Sequence, residues 1–203
     1  MFQQGRERAS RPIRAVPFDA DRPAVEAARR DPRRFDALYR KYVAQIYSYA
    51  LYETRDHHAA EDLTETVFLH AFRALPGFRE HGQDDASTFR VWLFRIARNA
   101  LANERRRERR HPEAPLELAA DVATQDDPAA AVVARDEVNR AWRAIDHLPP
   151  DRRRVLVMRF VEEMSAREIG EVLDRSEGAV RVLIHRALRG VAEQLRAEGR
   201  QGG

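Results

Sequence analysis

Residues 165–188 read SAREIGEVLDRSEGAVRVLIHRAL, two helical patterns parted by a pair of residues suited to a turn. Ser165 and Glu168 stand at the spacing of a capping box, in which each side chain satisfies a free backbone N–H at the helix start. The helix they open is short, with Ile169, Val172 and Leu173 on its inner side. Asp174-Arg175 follow as a tight turn, and Ser176 offers a cap to the next helix. That helix turns Val180, Ile184, Ala187, Leu188, Val191 and Leu195 inward. Glu177, Arg181, Val182, His185, Arg186 and Arg189 face outward. A short helix, a tight turn and a longer basic-faced helix describe a helix-turn-helix, whose second helix suits a DNA major groove. An ordinary helical hairpin with a solvated charged face has the same local pattern.

A second basic rod lies upstream. Residues 89–110, FRVWLFRIARNALANERRRERR, place Phe89, Trp92, Leu93, Ile96, Ala97, Ala100 and Leu101 on one buried stripe. The opposite side carries Arg95, Arg98, Asn99 and Asn103, then Arg105, Arg106, Arg107, Arg109 and Arg110. A membrane-surface helix gains nothing from amides, whereas a base edge does. Taken alone, the aromatics suit a core and the charged end suits a solvated face. Two basic helical modules on one chain favour nucleic acid.

The rest of the chain supplies the frame. Asp31-Pro32 is a helix start, with a capping side chain before a first-turn proline. Phe35, Leu38, Tyr39, Tyr42, Val43, Ile46, Tyr47, Ala50 and Leu51 then recur at three-four spacing. A further helix buries Ala60, Leu63, Val67, Phe68, Ala71, Phe72 and Leu75 and stops at Pro76-Gly77. Residues 1–30 are rich in Arg, Pro and Ala without sustained periodicity and read as a disordered extension. Residues 111–130, HPEAPLELAADVATQDDPAA, hold three prolines and five carboxylates with no basic residue after His111, and so read as an acidic linker. The expected organisation is all-α: a helical domain over 31–110, the linker, a helix-turn-helix domain over 131–197, and a flexible tail over 198–203.

Composition excludes several classes. Of 203 residues 34% are charged and 43% hydrophobic, enough for a core beneath an ionic surface. The net charge is only +3, so the basic residues form local faces. Lys41 is the only lysine; nearly all positive charge is arginine, whose fork matches phosphate and carboxylate. No cysteine is present, which removes disulfides, thiolate metal sites and cysteine nucleophiles. His57-His58, His70 and His81 lack a metal-ligand pattern. Neither a nucleophile elbow nor a phosphate-cradling loop occurs among the nine glycines. The expectation is a non-enzyme without metal or cofactor. With no signal-peptide run and no stretch of membrane-span length, a cytoplasmic protein without membrane insertion is expected.

Three stretches together resemble the bacterial RNA polymerase sigma factors, in particular the small extracytoplasmic-function (ECF) type: HHAAEDLTETVFLHAFRALPGF (57–78), STFRVWLFRIARNALANERRRERR (87–110) and AIDHLPPDRRRVLVMRFVEEMSAREIGEVLDRSEGAVRVLIHRAL (144–188). The resemblance spans roughly residues 31–197, in the family's order. It implies a subunit that binds core polymerase, through the β′ clamp and the β subunit, and reads promoter DNA. Glu61, Asp62 and Glu65 fall on the helix that docks on the clamp, although Glu65-Thr66 stands where members often carry Gln-Glu. Arg95, Arg98, Asn99, Asn103 and Arg106, with the loop from about His81 to Thr88, fall where the −10 element is captured as a flipped base. Glu177, Arg181, Val182, His185 and Arg186 fall on the −35 reader, where Val182 and Leu183 replace the family's small polar and basic residues. The acidic linker resembles the connector toward the RNA exit path, and an anti-sigma factor is a further partner the resemblance admits. The rivals are a helix-turn-helix regulator acting without polymerase, and a helical enzyme or membrane-surface protein.

Overall fold

A computed structural model describes residues 21–79, 88–110 and 140–201, all helices and short connections; among them there is no strand. Helix α1 (Arg22–Arg30) is followed by a 3-10 turn (Pro32–Arg34), α2 (Phe35–Thr54), α3 (His57–Ala74) and α4 (Thr88–Arg110). The C-terminal part has α5 (residues 140–146), α6 (Pro150–Leu156) passing into a π-helical turn (Val157–Val161), α7 (Ala166–Leu173) and α8 (Glu177–Gln201).

Residues 22–30, expected to be disordered, form α1, because Val25 and Ala28 reach the core and Asp21 is tied to Lys41 and Tyr42 of α2. Arg29 adds a hydrogen bond from Nε to the Leu75 carbonyl at 3.1 Å and sits over the Phe78 ring. Its apolar stripe is too short to stand out among arginines and prolines. At the other end, α8 continues through residues 198–201, which the sequence assigns to a flexible tail. Residues 1–20, the loop at 80–87 and the linker lie outside the described residues.

Helices α2 and α3 form an antiparallel hairpin with a two-residue connection. Arg55 closes α2 in the left-handed region (φ 60°), its N–H reaching the Leu51 carbonyl at 2.8 Å. Asp56 then caps α3 by accepting from the Ala59 N–H at 2.7 Å. The rings of Phe35 and Tyr39 meet Phe68 edge-on, and Phe35 also meets Phe72. Helix α4 runs in the sense of α2, with Tyr42 against Phe89 and Tyr49 against Phe94. Burial on α4 is wider than one stripe, since Val91 and Phe94 are also enclosed, while Trp92 and Ile96 are only partly so. The cause is a second neighbour, because α7 packs along α4 as well as α2 and α3.

The helix-turn-helix forms as the sequence indicates. Ser165 and Glu168 make both halves of the capping box, and Ser176 Oγ accepts from the Ala179 N–H at 3.2 Å. Asp174 adopts the left-handed conformation (φ 55°), and Arg175 N–H donates to the Gly170 carbonyl at 2.8 Å. A Cβ on Gly170 would lie 2.6 Å from the Arg175 carbonyl oxygen, so this turn closes only over glycine. Ile169, Val172, Val180 and Ala187 are buried. Leu188, read as inward, is 45% exposed, since α6 and α7 cover only a narrow strip of α8. Spacing also places Tyr39 and Phe72 inward, yet each is 43% exposed at the rim of the hairpin.

Candidate nucleic-acid interface

Three faces carry the residues singled out by sequence. On α3, Glu61, Asp62 and Glu65 are all exposed. The same side presents Leu69, 44% exposed, and Phe72, so the face is acidic with an apolar end. A shallow groove of about 380 Å³ between α2 and α3, lined by Tyr39, Val43, Tyr47 and Glu61 among others, continues it. Spacing alone could not separate Phe72 from the core stripe, because it lies at the stripe's edge.

On α8, Glu177, Arg181, Val182, His185 and Arg186 are exposed together on the side away from α6 and α7. Arg181 is held by Glu177 one turn earlier, which points its guanidinium along the helix. Val182 is 49% exposed, an apolar contact amid charge.

On α4 the expected set divides. Asn99 and Asn103 are exposed, and Arg106 donates to Asn103 Oδ1 at 3.3 Å. Arg95 and Arg98 are engaged within the chain. Arg95 Nε donates to the Glu171 carbonyl at 2.7 Å, and Arg98 donates to the Val172 carbonyl at 2.6 Å and to Asp174 Oδ2 at 2.7 Å. Arg98 holds the Asp174 carboxyl below its ordinary pKa. Arg105, read as one more exposed cation, donates instead to the Glu53 carbonyl at 3.0 Å and to its carboxylate at 2.9 Å. A buried partner two helices away is invisible to a pattern read along one helix.

Further ties join the N-terminal helices to the C-terminal ones. Arg154 of α6 shares the Glu53 carboxylate with Arg105. Burial pushes that carboxyl up, but the hydrogen bonds and charge of Arg154 and then Arg105 outweigh it and hold it below its ordinary value. Arg90 donates to Glu168, so one capping carboxylate serves both a helix start and a helix contact. Arg55 pairs with Asp146, and the Tyr52 ring lies against Trp142. Glu162, 2% exposed, has its carboxyl pushed up to about 7 by burial, against the opposing pull of Ser48 and Arg90. Between α4 and α6 an open groove of about 330 Å³ is lined by Arg98, Arg105, Arg106, Arg109 and Arg154, with Leu101 and Ala102. Among the described residues no cluster fits a metal ion, and no helix is long and apolar enough to cross a membrane.

An all-α chain with a capped helix-turn-helix and two basic helix faces is a nucleic-acid-binding architecture. The family described as Sigma-70 region 2 matches residues 38–111, and that described as Sigma-70, region 4 matches residues 139–189. The RNA polymerase sigma-H factor of Pseudomonas aeruginosa is 32% identical over 188 residues, covering 87% of this chain and 94% of its own length. The ECF RNA polymerase sigma factor BldN of Streptomyces coelicolor is 30% identical over 167 residues, 82% of this chain; the chain spans 62% of BldN's length. Among solved structures, CnrH in complex with the cytosolic domain of CnrY superposes with a TM-score of 0.64 at 25% identity, covering 88% of this chain and 99% of the other. The chain belongs to the ECF RNA polymerase sigma factors, non-catalytic subunits that direct promoter-specific initiation.

Proposed function

We propose that this chain joins core RNA polymerase, reads a −35 element as duplex through α8 and captures a melted −10 element on α4. The observation that carries the reading is the pair of basic helix faces, α4 and α8, on two modules of one chain. Residues 31–110 and 131–197 form those modules in this reading, and residues 111–130 form the acidic connector between them.

Each face has work suited to its chemistry. Glu61, Asp62 and Glu65, with Leu69 beside them, suit a basic partner surface that also offers an apolar contact, the role assigned to the β′ clamp. Asn99 and Asn103 offer amide donors and acceptors to an unstacked base, while Arg95, Arg98 and Arg106 track the phosphates beside it. Capturing the flipped base offsets part of the unstacking cost of a few kcal/mol. Arg181, His185 and Arg186 contact base edges or phosphates at −35, and Val182 packs on a thymine methyl. Glu177 orients Arg181. No nucleotide hydrolysis by this chain is required for the −10 capture. CnrH is solved in complex with a second protein, the cytosolic domain of CnrY, and a protein partner seated on this chain, an anti-sigma factor in this reading, is supported by that likeness.

A helix-turn-helix regulator acting alone leaves the acidic face of α3 and the basic face of α4 without a use. Run-off transcription with core polymerase and genomic promoter fragments tests the reading. Promoter-specific transcripts that require the added chain are expected. Their absence, with tight duplex binding by the free chain, would favour the regulator.

A further inference from the structure

Gln45, Ser48, Tyr49 and Tyr52 share one side of α2 at three-four spacing, and the C-terminal helices close over that side. Tyr49 feels the charge of Arg154 of α6, and the Tyr52 ring lies 6.0 Å from Trp142 and 5.7 Å from Arg153. The Ser48 side chain hydrogen-bonds Glu162, which follows the π-helical turn. Among the described residues, every buried side-chain oxygen or nitrogen without a hydrogen bond belongs to this row or faces it: Gln45 Oε1, the Tyr49 and Tyr52 hydroxyls, and Glu162 Oε1. We propose that closing of the C-terminal helices over α2 is coupled to the uptake of one proton by Glu162, so that acidification tightens the contact and deprotonation loosens it. The coupling does not depend on what α4 or α8 binds.

Apolar packing supplies the cohesion. Met158, Met164, Ile169 and Val172 belong to one continuous core with the buried residues of α1 to α4, so ion pairs do not hold the contact alone. The polar row works against that cohesion. A buried donor or acceptor without a partner has given up water for nothing, and regains it when the helices part. The contact is therefore weaker than its apolar area suggests, which leaves the balance open to a single proton.

Glu162 is the group that can take it. It is 2% exposed and sits between the core residues Met158 and Met164. Its own N–H donates to the Val157 carbonyl at 3.1 Å, and the Met164 N–H donates to the Met158 carbonyl at 2.9 Å, which fixes the backbone that carries the carboxyl. From α2 it meets the Ser48 hydroxyl, and from α4 the Arg90 guanidinium, already bound to Glu168 of α7. Helix α6 sends Arg154 to Glu53 instead. On its own segment Arg159 donates to the Met164 carbonyl at 2.9 Å, and Glu163 is exposed.

One hydroxyl and one shared guanidinium do not compensate a buried carboxylate, and burial pushes the carboxyl up to about 7. Opening returns it to water, where a glutamate titrates near about 4.3. Between those values closing binds a proton. The closed-to-open ratio then falls about tenfold per pH unit and levels off above about 7.

The test uses the full chain with His70→Cys and Gln194→Cys, exposed on α3 and α8, as a unique pair of spin labels, since no native cysteine competes. Double electron–electron resonance reads the closed and open populations at pH 7.5 and 6.0, in the urea concentration that makes them equal at pH 7.5. Far-UV circular dichroism on the same samples reads helix. The closed-to-open ratio should rise about tenfold at pH 6.0 with the helix signal unchanged. Glu162→Gln, neutral and of the same shape, should stay closed at both values. Glu163→Gln neutralises the exposed neighbour and should respond as the unmodified chain does. Ser48→Ala removes the hydroxyl that steadies the ionised form, so its response should move to higher pH; this variant carries the test should Glu162→Gln lose its helix signal. A response that survives in Glu162→Gln, one that vanishes in Glu163→Gln, an unmoved response in Ser48→Ala, or none in the unmodified chain would overturn the proposal. So would loss of helix in step with opening at both pH values, because the contact would then be part of one folding unit and not a joint.

Discussion

Arg154 of α6 reaches Glu53 of α2 across 101 residues of sequence, donating from Nη2 to Oε2 at 2.9 Å, with both side chains largely enclosed. Arg105 of α4 shares the same carboxylate, so one acid fixes three helices. Breaking a buried pair by removing one partner costs about 3–5 kcal/mol, because the remaining charge is left uncompensated. Glu53→Gln should lower stability toward urea by an amount of that order. The folded carboxyl is held below its ordinary value, so its contribution is fully present above the unfolded pKa and is lost as pH falls through the folded one. The variant should therefore be insensitive to this part of the acid limb, and urea titrations from neutral to acid pH check both expectations.

Glu162 predicts the opposite slope. Its carboxyl is pushed up to about 7, so the folded chain binds a proton that the unfolded chain holds only near pH 4. Stability is then fully relieved below the unfolded value and declines as pH rises through about 7. The slope is about 1.4 kcal/mol per pH unit while the two states differ by a full proton. Glu162 Oε1 accepts no hydrogen bond from the described residues, which leaves the ionised form poorly supported. Glu162→Gln should raise stability at pH 8 and flatten the profile between pH 5 and 7; an unchanged profile would sink the assignment.

The acidic face of α3 is tested by charge reversal. Asp62→Arg and Glu65→Arg should weaken co-purification with core polymerase. Both residues are exposed, so thermal stability should change by no more than about 0.5 kcal/mol. Retained binding in the double variant removes the docking role.

The two proposed readers should fail differently. Asn99 is exposed one turn after Arg95 and one turn before Asn103. Asn99→Ala should impair melting of duplex promoter, as read by permanganate footprinting, and the defect should shrink on a template pre-melted across −10. Arg186→Ala should lower affinity on both templates alike, by about 1–3 kcal/mol if the contact is to a base. Equal melting by Asn99→Ala and wild type would reduce the exposed side of α4 to a solvated face.

Gly170 offers a structural control. Its missing Cβ is what lets the Arg175 carbonyl approach, and that carbonyl is backbone, unable to move like a flexible side chain. Gly170→Ala should destabilise the helix-turn-helix by about 1–3 kcal/mol, as overpacking does. Chemical denaturation monitored at Trp142, which lies in α5, gives the measurement.

Local rules carried the reading wherever the determinant was local. The capping box of Ser165 and Glu168, the turn at Asp174 and the exposed set on α8 depend on neighbours within a few residues, and the structure has them as read. Helix α1 was missed because two small apolar residues make no periodicity; it is stable only through Asp21, Arg29 and the core they meet. Leu188, Tyr39 and Phe72 lie further out than their spacing implies, since spacing gives a face but not how wide a strip its neighbours cover. The engaged state of Arg95, Arg98 and Arg105 was illegible for a different reason. Their partners lie on α7 and α2, and the residues that bring those helices together are dispersed over the whole chain.

The pairing of Arg105 with Glu53 also bears on how binding answers to ionic strength. An arginine already neutralised inside the protein displaces no condensed counterion when a polyanion arrives. Each phosphate that is neutralised on a single strand contributes about −0.7 to the slope of log affinity against log salt. Along the arginine block of α4, that slope is set by exposed cations such as Arg106, Arg109 and Arg110, so it should be shallower than the composition of residues 105–110 suggests.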